Sequence, residues 1–278
     1  MKIKVSLLYL IITLISNNIH SQETVFNYEI HYLLTYQPDS TNKNSRKTEN
    51  MVLFAKKEKS LFLSYNQFLY DSAFASQSKL GNTFGPPITF ATNVKTSFKY
   101  HIFKTGDLYI TFDKLDLITS PYFTYSEPAC KLDWKILTDR KKIGSLNCQK
   151  ATCNFGDREW IAWFSSEIPL NIGPYKFCGL PGLIIEISDS QQYWNFNFES
   201  FERKDNVNYA FGGEKAQKLE KKDFFKKLRE SYDNGFELEQ ADGSVYYTDE
   251  KNQNHFRKVA EERAKAANNW IELYNNKN

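Results

Sequence analysis

Six apolar residues at every second position, Phe26, Tyr28, Ile30, Tyr32, Leu34 and Tyr36, alternate with Asn27, Glu29, His31, Leu33 and Thr35. Period two puts the six on one face of an extended strand and leaves the other largely polar. Shorter alternating runs follow at 51–55, 60–65, 98–103, 108–112, 131–137, 145–155, 158–164, 183–187 and 193–201. Turn chemistry separates several of them. Thr105-Gly106-Asp107 joins one pair, and Gly156-Asp157 joins the runs ending at Phe155 and starting at Arg158. About ten short strands without helical periods between them predict a mainly β (α+β) fold. Its sheet is an antiparallel meander, curved or rolled into a half-open barrel.

The C-terminal third reads differently. Over 214–232, Lys and Glu surround a helical stripe of Phe224, Phe225, Leu228 and Tyr232. A second stripe over 252–274 carries Phe256, Val259, Ala260, Arg263, Ala267, Trp270 and Tyr274, and Asp233-Asn234-Gly235 ends the first helix. Residues 66–95 show few periodic signals, with a loop at Gly85-Pro86-Pro87. With no repeat and no linker, residues 22–278 are expected to form one β-rich domain with a helical C-terminal part from about 214. The 5 Trp, 17 Tyr and 22 Phe then need little explanation beyond a core. Tyr28, Tyr32, Trp134, Trp160, Trp194, Phe196 and Phe198 all fall on alternating strand positions.

Ahead of the first strand, Lys2 and Lys4 precede an apolar run over 5–15, a polar stretch and Ser21. This is the layout of a signal peptide over 1–21, and the run is too short to span a bilayer. No cysteine follows it, so no lipid anchor of the lipobox type is expected. Its removal leaves 34 basic against 33 acidic residues. That near balance, like the +3 of the whole chain, argues against a polyanion such as nucleic acid as partner. A mean hydropathy of −0.57 excludes a polytopic membrane protein. In an oxidising compartment Cys130, Cys148, Cys153 and Cys178 are disulfide candidates. Cys148 and Cys153, five apart on one strand, point to opposite faces and cannot pair with each other.

One segment looks chosen rather than merely patterned. It runs Gly144-Ser-Leu-Asn-Cys148-Gln-Lys-Ala151, then Arg158-Glu-Trp160-Ile-Ala-Trp163-Phe164. It ends Gly173-Pro174-Tyr175-Lys-Phe177-Cys178-Gly179-Leu180-Pro181-Gly182-Leu183-Ile184. This segment resembles the GLPGLI family of exported bacterial proteins, named for the hexapeptide at Gly179 to Ile184. The resemblance implies an envelope-associated or secreted protein of a Gram-negative bacterium, with no established activity. The strand pattern also looks like the curved sheets of periplasmic lipoprotein carriers, at the level of fold alone.

The residues of the motif carry their own expectations. Pro174 and Pro181 lack an N–H, and Gly173, Gly179 and Gly182 accept backbone conformations closed to other residues. Residues 173–182 therefore make a tight connection feeding the strand that opens with Leu183 and Ile184. Tyr175, Phe177 and Leu180 pin it to the sheet, or else line a ligand or partner contact with Pro181. Trp160 and Trp163 have opposite parity, so one faces the core and the other is the better contact. Arg158 is either a carboxylate-binding corner or a surface arginine covering rings.

Chemistry is otherwise sparse. His31, His101 and His255 are far apart, with no metal-ligand spacing, so neither a metal nor a cofactor is expected. Neither a nucleophile elbow nor a phosphate loop is present, and no catalytic residue is expected. The favoured reading is a non-enzymatic exported envelope protein, periplasmic, outer-membrane-associated or secreted. Its curved sheet binds a lipid or other apolar ligand, or an outer-membrane or envelope protein. The alternatives are an assembly subunit with an aromatic surface patch at Tyr175 and Phe177, and an exported hydrolase with an unrecognised site.

Overall fold

The computed structural model describes residues 24–81, 90, 93–209 and 211–273. The expected signal peptide, the Gly85-Pro86-Pro87 loop and Tyr274 lie outside them.

Strand β1 (Thr24–Tyr36) does not sit at an edge, although it comes first. From it β2 (Lys47–Lys56), β3 (Lys59–Ser64), β4 (His101–Thr105), β5 (Leu108–Lys114) and β6 (Tyr122–Pro128) meander away on one side. The chain then crosses to the opposite edge at β7 (Lys135–Ile143). It works back through β8 (Leu146–Phe155), β9 (Arg158–Ser165), β10 (Leu183–Asp189) and β11 (Trp194–Tyr209), which pairs with β1. The two-residue β12 (Gln217–Lys218) adds parallel to β6, and every other pairing is antiparallel. Among the described residues the result is one curved, unclosed sheet of twelve strands.

Alternation divides the sheet's two faces. Ile30, Tyr32, Leu34, Tyr36, Met51, Leu53, Phe62 and Ile102 join the main core with Trp160, Phe177, Trp194 and Phe196. Val52, Phe54, Leu61 and Leu63 point the other way and form a second cluster with Phe26. Phe26 shares the parity of Ile30, but a bulge between Phe26 and Tyr28 turns it over. Tyr28 and Phe198 are half-buried, and Trp134 lies just ahead of β7 rather than on a strand. At the β8–β9 hairpin Gly156 (φ +60°) and Asp157 (φ +58°) are both left-handed, as a two-residue turn matched to the sheet twist requires.

The helical expectations need three corrections. Helix α1 (Tyr65–Lys79), capped by Ser64, lies where no period was visible. It presents no apolar stripe and covers the second cluster through only Tyr65 and Phe68. Helix α2 (Lys221–Asp233) starts seven residues later than expected and buries Phe224 and Phe225 against Leu115, Phe123 and Tyr125. After α3 (Gly235–Ala241), α4 (Glu250–Ala266) ends well short of 274. Its continuation leaves the helix, with Asn268 and Asn269 bonded to Asp39 and to the Gln37 carbonyl and Glu272 buried in the interior. Phe256 and Val259 of the second stripe remain exposed.

Candidate functional site

The signature loop is a buried corner. Gly182 (φ +153°) lies so close to β9 that a Cβ there would stand 2.2 Å from the Ser165 carbonyl oxygen, so only glycine fits. Tyr32 of the central strand donates to the Ile184 carbonyl at 2.7 Å and ties the end of the hexapeptide to the core. Phe177 packs on Trp160 with ring centroids 4.6 Å apart, and Leu180 is buried beside them. Trp134 donates to the Cys178 carbonyl, and a disulfide joins Cys130 to Cys178. Cys148 and Cys153 are buried free thiols. Burial pushes the Cys148 thiol up to about 11 and that of Cys153 up to about 12.

Several site residues therefore stand elsewhere than a contact surface needs. Tyr175 and Phe177 are buried, so no aromatic surface patch forms there. Arg158 is not a surface arginine. It is buried, donates to Asp189 at 2.9 Å and Asn269 at 2.5 Å, and also bonds the Trp270 carbonyl. Trp160 is wholly buried, whereas Trp163 is half-buried with Lys141 4.5 Å from its ring centroid. Pro181 and Gly179 are exposed. Gly173 and Pro174 are buried, as are Leu183 and Ile184 at the start of β10.

A buried ionic cluster joins the loop to the chain's last described segment. Lys176 meets Glu272 at 2.7 Å and Glu127 at 2.6 Å. Lys221 bridges the same two carboxylates, at 2.7 Å to Glu272 and 2.5 Å to Glu127. The Tyr175 hydroxyl donates to Glu272 at 2.6 Å, and Lys176 reaches the Tyr125 hydroxyl at 3.2 Å. Burial disfavours the charged Glu272, but the two lysines outweigh it and hold the carboxyl below its usual range.

Beside this cluster lies a cavity of about 490 Å³, between the β4–β6 face of the sheet and the helical part. Register builds its floor. Ile102 of β4 and Tyr125 of β6 flank Thr111, and Phe123 stands opposite Asp113. Aromatic rings form the wall. Tyr36 packs on Trp194 (centroids 5.4 Å) and Phe98 (4.9 Å), Phe98 on Tyr100, and Tyr100 on Tyr175. Helix α2 and Trp270 and Ile271 of the tail roof it.

Three polar groups of this lining are incompletely satisfied. The Tyr100 hydroxyl and Thr111 Oγ1 are buried without a hydrogen-bond partner among the described residues. Asp113 accepts the Lys114 N–H at 2.7 Å, and no Lys, Arg or His among the described residues is within ion-pair distance. Burial pushes its carboxyl up to about 7, against the pull of that bond and of the more distant Lys176 and Lys99. None of these three was marked by sequence reasoning. Their only signal is the i, i+2 spacing of Thr111 and Asp113, which any half-buried strand shows.

The signature segment has a counterpart among known families. Residues 154–186 match the family model described as Protein of unknown function (Porph_ging). The GLPGLI-type resemblance drawn from the hexapeptide thus holds over Arg158, the two tryptophans and the loop. No curated protein matches the chain. Among solved structures, PNGF-II in its P21 and C2 crystal forms is similar in fold, with a TM-score of 0.52 at 12% identity in each case. The likeness covers 74% of this chain but 34% and 33% of the PNGF-II chains, so this chain spans about a third of their length. At that identity it concerns the fold alone. No helix among the described residues is long and apolar enough to cross a membrane.

Proposed function

We propose that this protein is an exported, non-enzymatic envelope protein that binds a small, largely apolar ligand in the 490 Å³ cavity. The observation that carries the reading is the pair of hydroxyls, Tyr100 in the wall and Thr111 in the floor, buried without a partner among the described residues. An unsatisfied buried polar group costs about 1–3 kcal/mol, a cost that a ligand bonding to it removes. The volume lies in the range of small-molecule sites, roughly 300–1,000 Å³. The signal-like first residues and the Cys130–Cys178 disulfide support export.

Filling the cavity tests it. Native mass spectrometry of protein purified from the envelope of its own cells should show a small stoichiometric adduct. Leu228→Trp, which projects from α2 into the space, should abolish that adduct while leaving the circular dichroism spectrum intact. An adduct that survives the filled cavity, or no adduct in the unsubstituted protein, counts against the reading.

A further inference from the structure

The groups inside the cavity specify more than an apolar ligand. Asp113 lines it without a counter-ion among the described residues, and the other charges of the lining are committed or peripheral. Glu272 is held by Lys176 and Lys221, and Arg263 by Asp116. The Lys114 ammonium lies 4.4 Å from the Tyr122 ring centroid, a ring outside the lining, and Lys47 and Lys99 stand exposed at its margin.

Aromatic faces carry negative potential and attract cations. An anion would meet those faces and Asp113 together. A neutral ligand would leave the carboxylate without a counter-charge in a poorly solvated place. A primary ammonium has three N–H donors, and the lining offers three acceptors in need of one: the Asp113 carboxylate, Thr111 Oγ1 and the Tyr100 hydroxyl. Thr111 and Asp113 are two residues apart on β5 and so share the face that looks into the space.

We infer that the cavity takes an organic ammonium, a protonated primary amine with an apolar body, whose nitrogen sits between Asp113, Thr111 and Tyr100 while its body lies against the aromatic wall. This rests on the cavity being a ligand site.

Three soluble probes of similar size separate the two ideas: 2-phenylethylamine, 2-phenylethanol and 3-phenylpropionate, titrated calorimetrically near pH 8. The amine should bind about tenfold or more tighter than the alcohol, the worth of a charge-assisted hydrogen bond, and the acid weakest. Asp113→Asn should erase the amine's advantage and leave alcohol binding unchanged. Should that variant fold poorly, Tyr100→Phe and Thr111→Val, which keep the charge, should each weaken the amine several-fold. An alcohol or acid that binds as tightly as the amine overturns the ammonium inference and leaves the cavity reading standing. If none of the three binds, both are overturned.

Discussion

Lys176 of the signature loop and Glu272 of the tail, 96 residues apart in sequence, meet at 2.7 Å with about 1% of either side chain exposed. Such a pair adds modest net stability when whole, but removing Lys176 leaves Lys221 alone against two carboxylates, one negative charge uncompensated in the interior. Lys176→Met should therefore lower the unfolding free energy by about 3–5 kcal/mol, read from urea denaturation. A change below about 1 kcal/mol would show that water reaches the cluster.

The same cluster sets an acid limit. Burial opposes the charged Glu272, but Lys176 and Lys221 prevail and its folded pKa lies below its unfolded value near 4.5. Its stabilisation is complete above that value and is lost as the pH falls through the folded pKa. Denaturation midpoints should drop on acidification below about 4.5, and Glu272→Gln should flatten that part of the profile.

Asp113 works in the opposite sense. Its folded pKa of about 7 exceeds the ordinary 3.8, so the folded state holds the extra proton and stability declines as pH rises between those values. At most about 4 kcal/mol is involved. In the unliganded protein Asp113→Asn should raise the melting temperature above pH 7 and leave it nearly unchanged at pH 4. Equal effects at both pH values would refute the assignment.

Arg158 holds the tail in place through Asn269 and the Trp270 carbonyl. Arg158→Lys keeps the charge but loses the forked geometry. Limited proteolysis followed by intact-mass measurement should then show cleavage after α4 well before cleavage elsewhere. A fragment pattern identical to that of the unsubstituted protein would remove Arg158 from this role.

The two kinds of cysteine should separate chemically. Opening the disulfide frees a loop of 48 residues in the unfolded chain, worth about 4 kcal/mol on loop-entropy grounds. Cys148 and Cys153, buried and with raised pKa values, should resist iodoacetamide in the native state and react together on denaturation.

What could be read from the sequence follows from how local each signal is. The alternation in β1 and the Gly156-Asp157 turn are dictated by neighbours in the chain, and both stand in the structure where they were expected. Strand β6 escaped notice because Tyr122 and Phe123 adjoin, each packing on a different face, which hides the period. Helix α1 escaped for want of a stripe. The run of 252–274 misled because Trp270 and Ile271 continue a helical period but pack inward, Trp270 half-buried and Ile271 buried, from a segment that is not helical. The cavity was invisible for a further reason. Tyr100, the Thr111–Asp113 pair and Trp194 come from three places in the chain, and only tertiary register makes them neighbours.

The central place of β1 has a consequence for the order of assembly. Each half of the sheet is a run of strands that pair with their neighbours in the chain, and apart from the longer β3–β4 and β9–β10 connections these close over short stretches and form quickly. The seam between the halves is different, since Tyr36 finds Trp194 and Thr24 finds Tyr209. Closing it awaits the arrival of β11, so a chain emerging from its first residue onward carries one unfilled edge of β1 until about three quarters of it has appeared. An unpaired edge of that length templates pairing with other chains. The most hazardous interval for this protein is thus the one just before its own eleventh strand arrives.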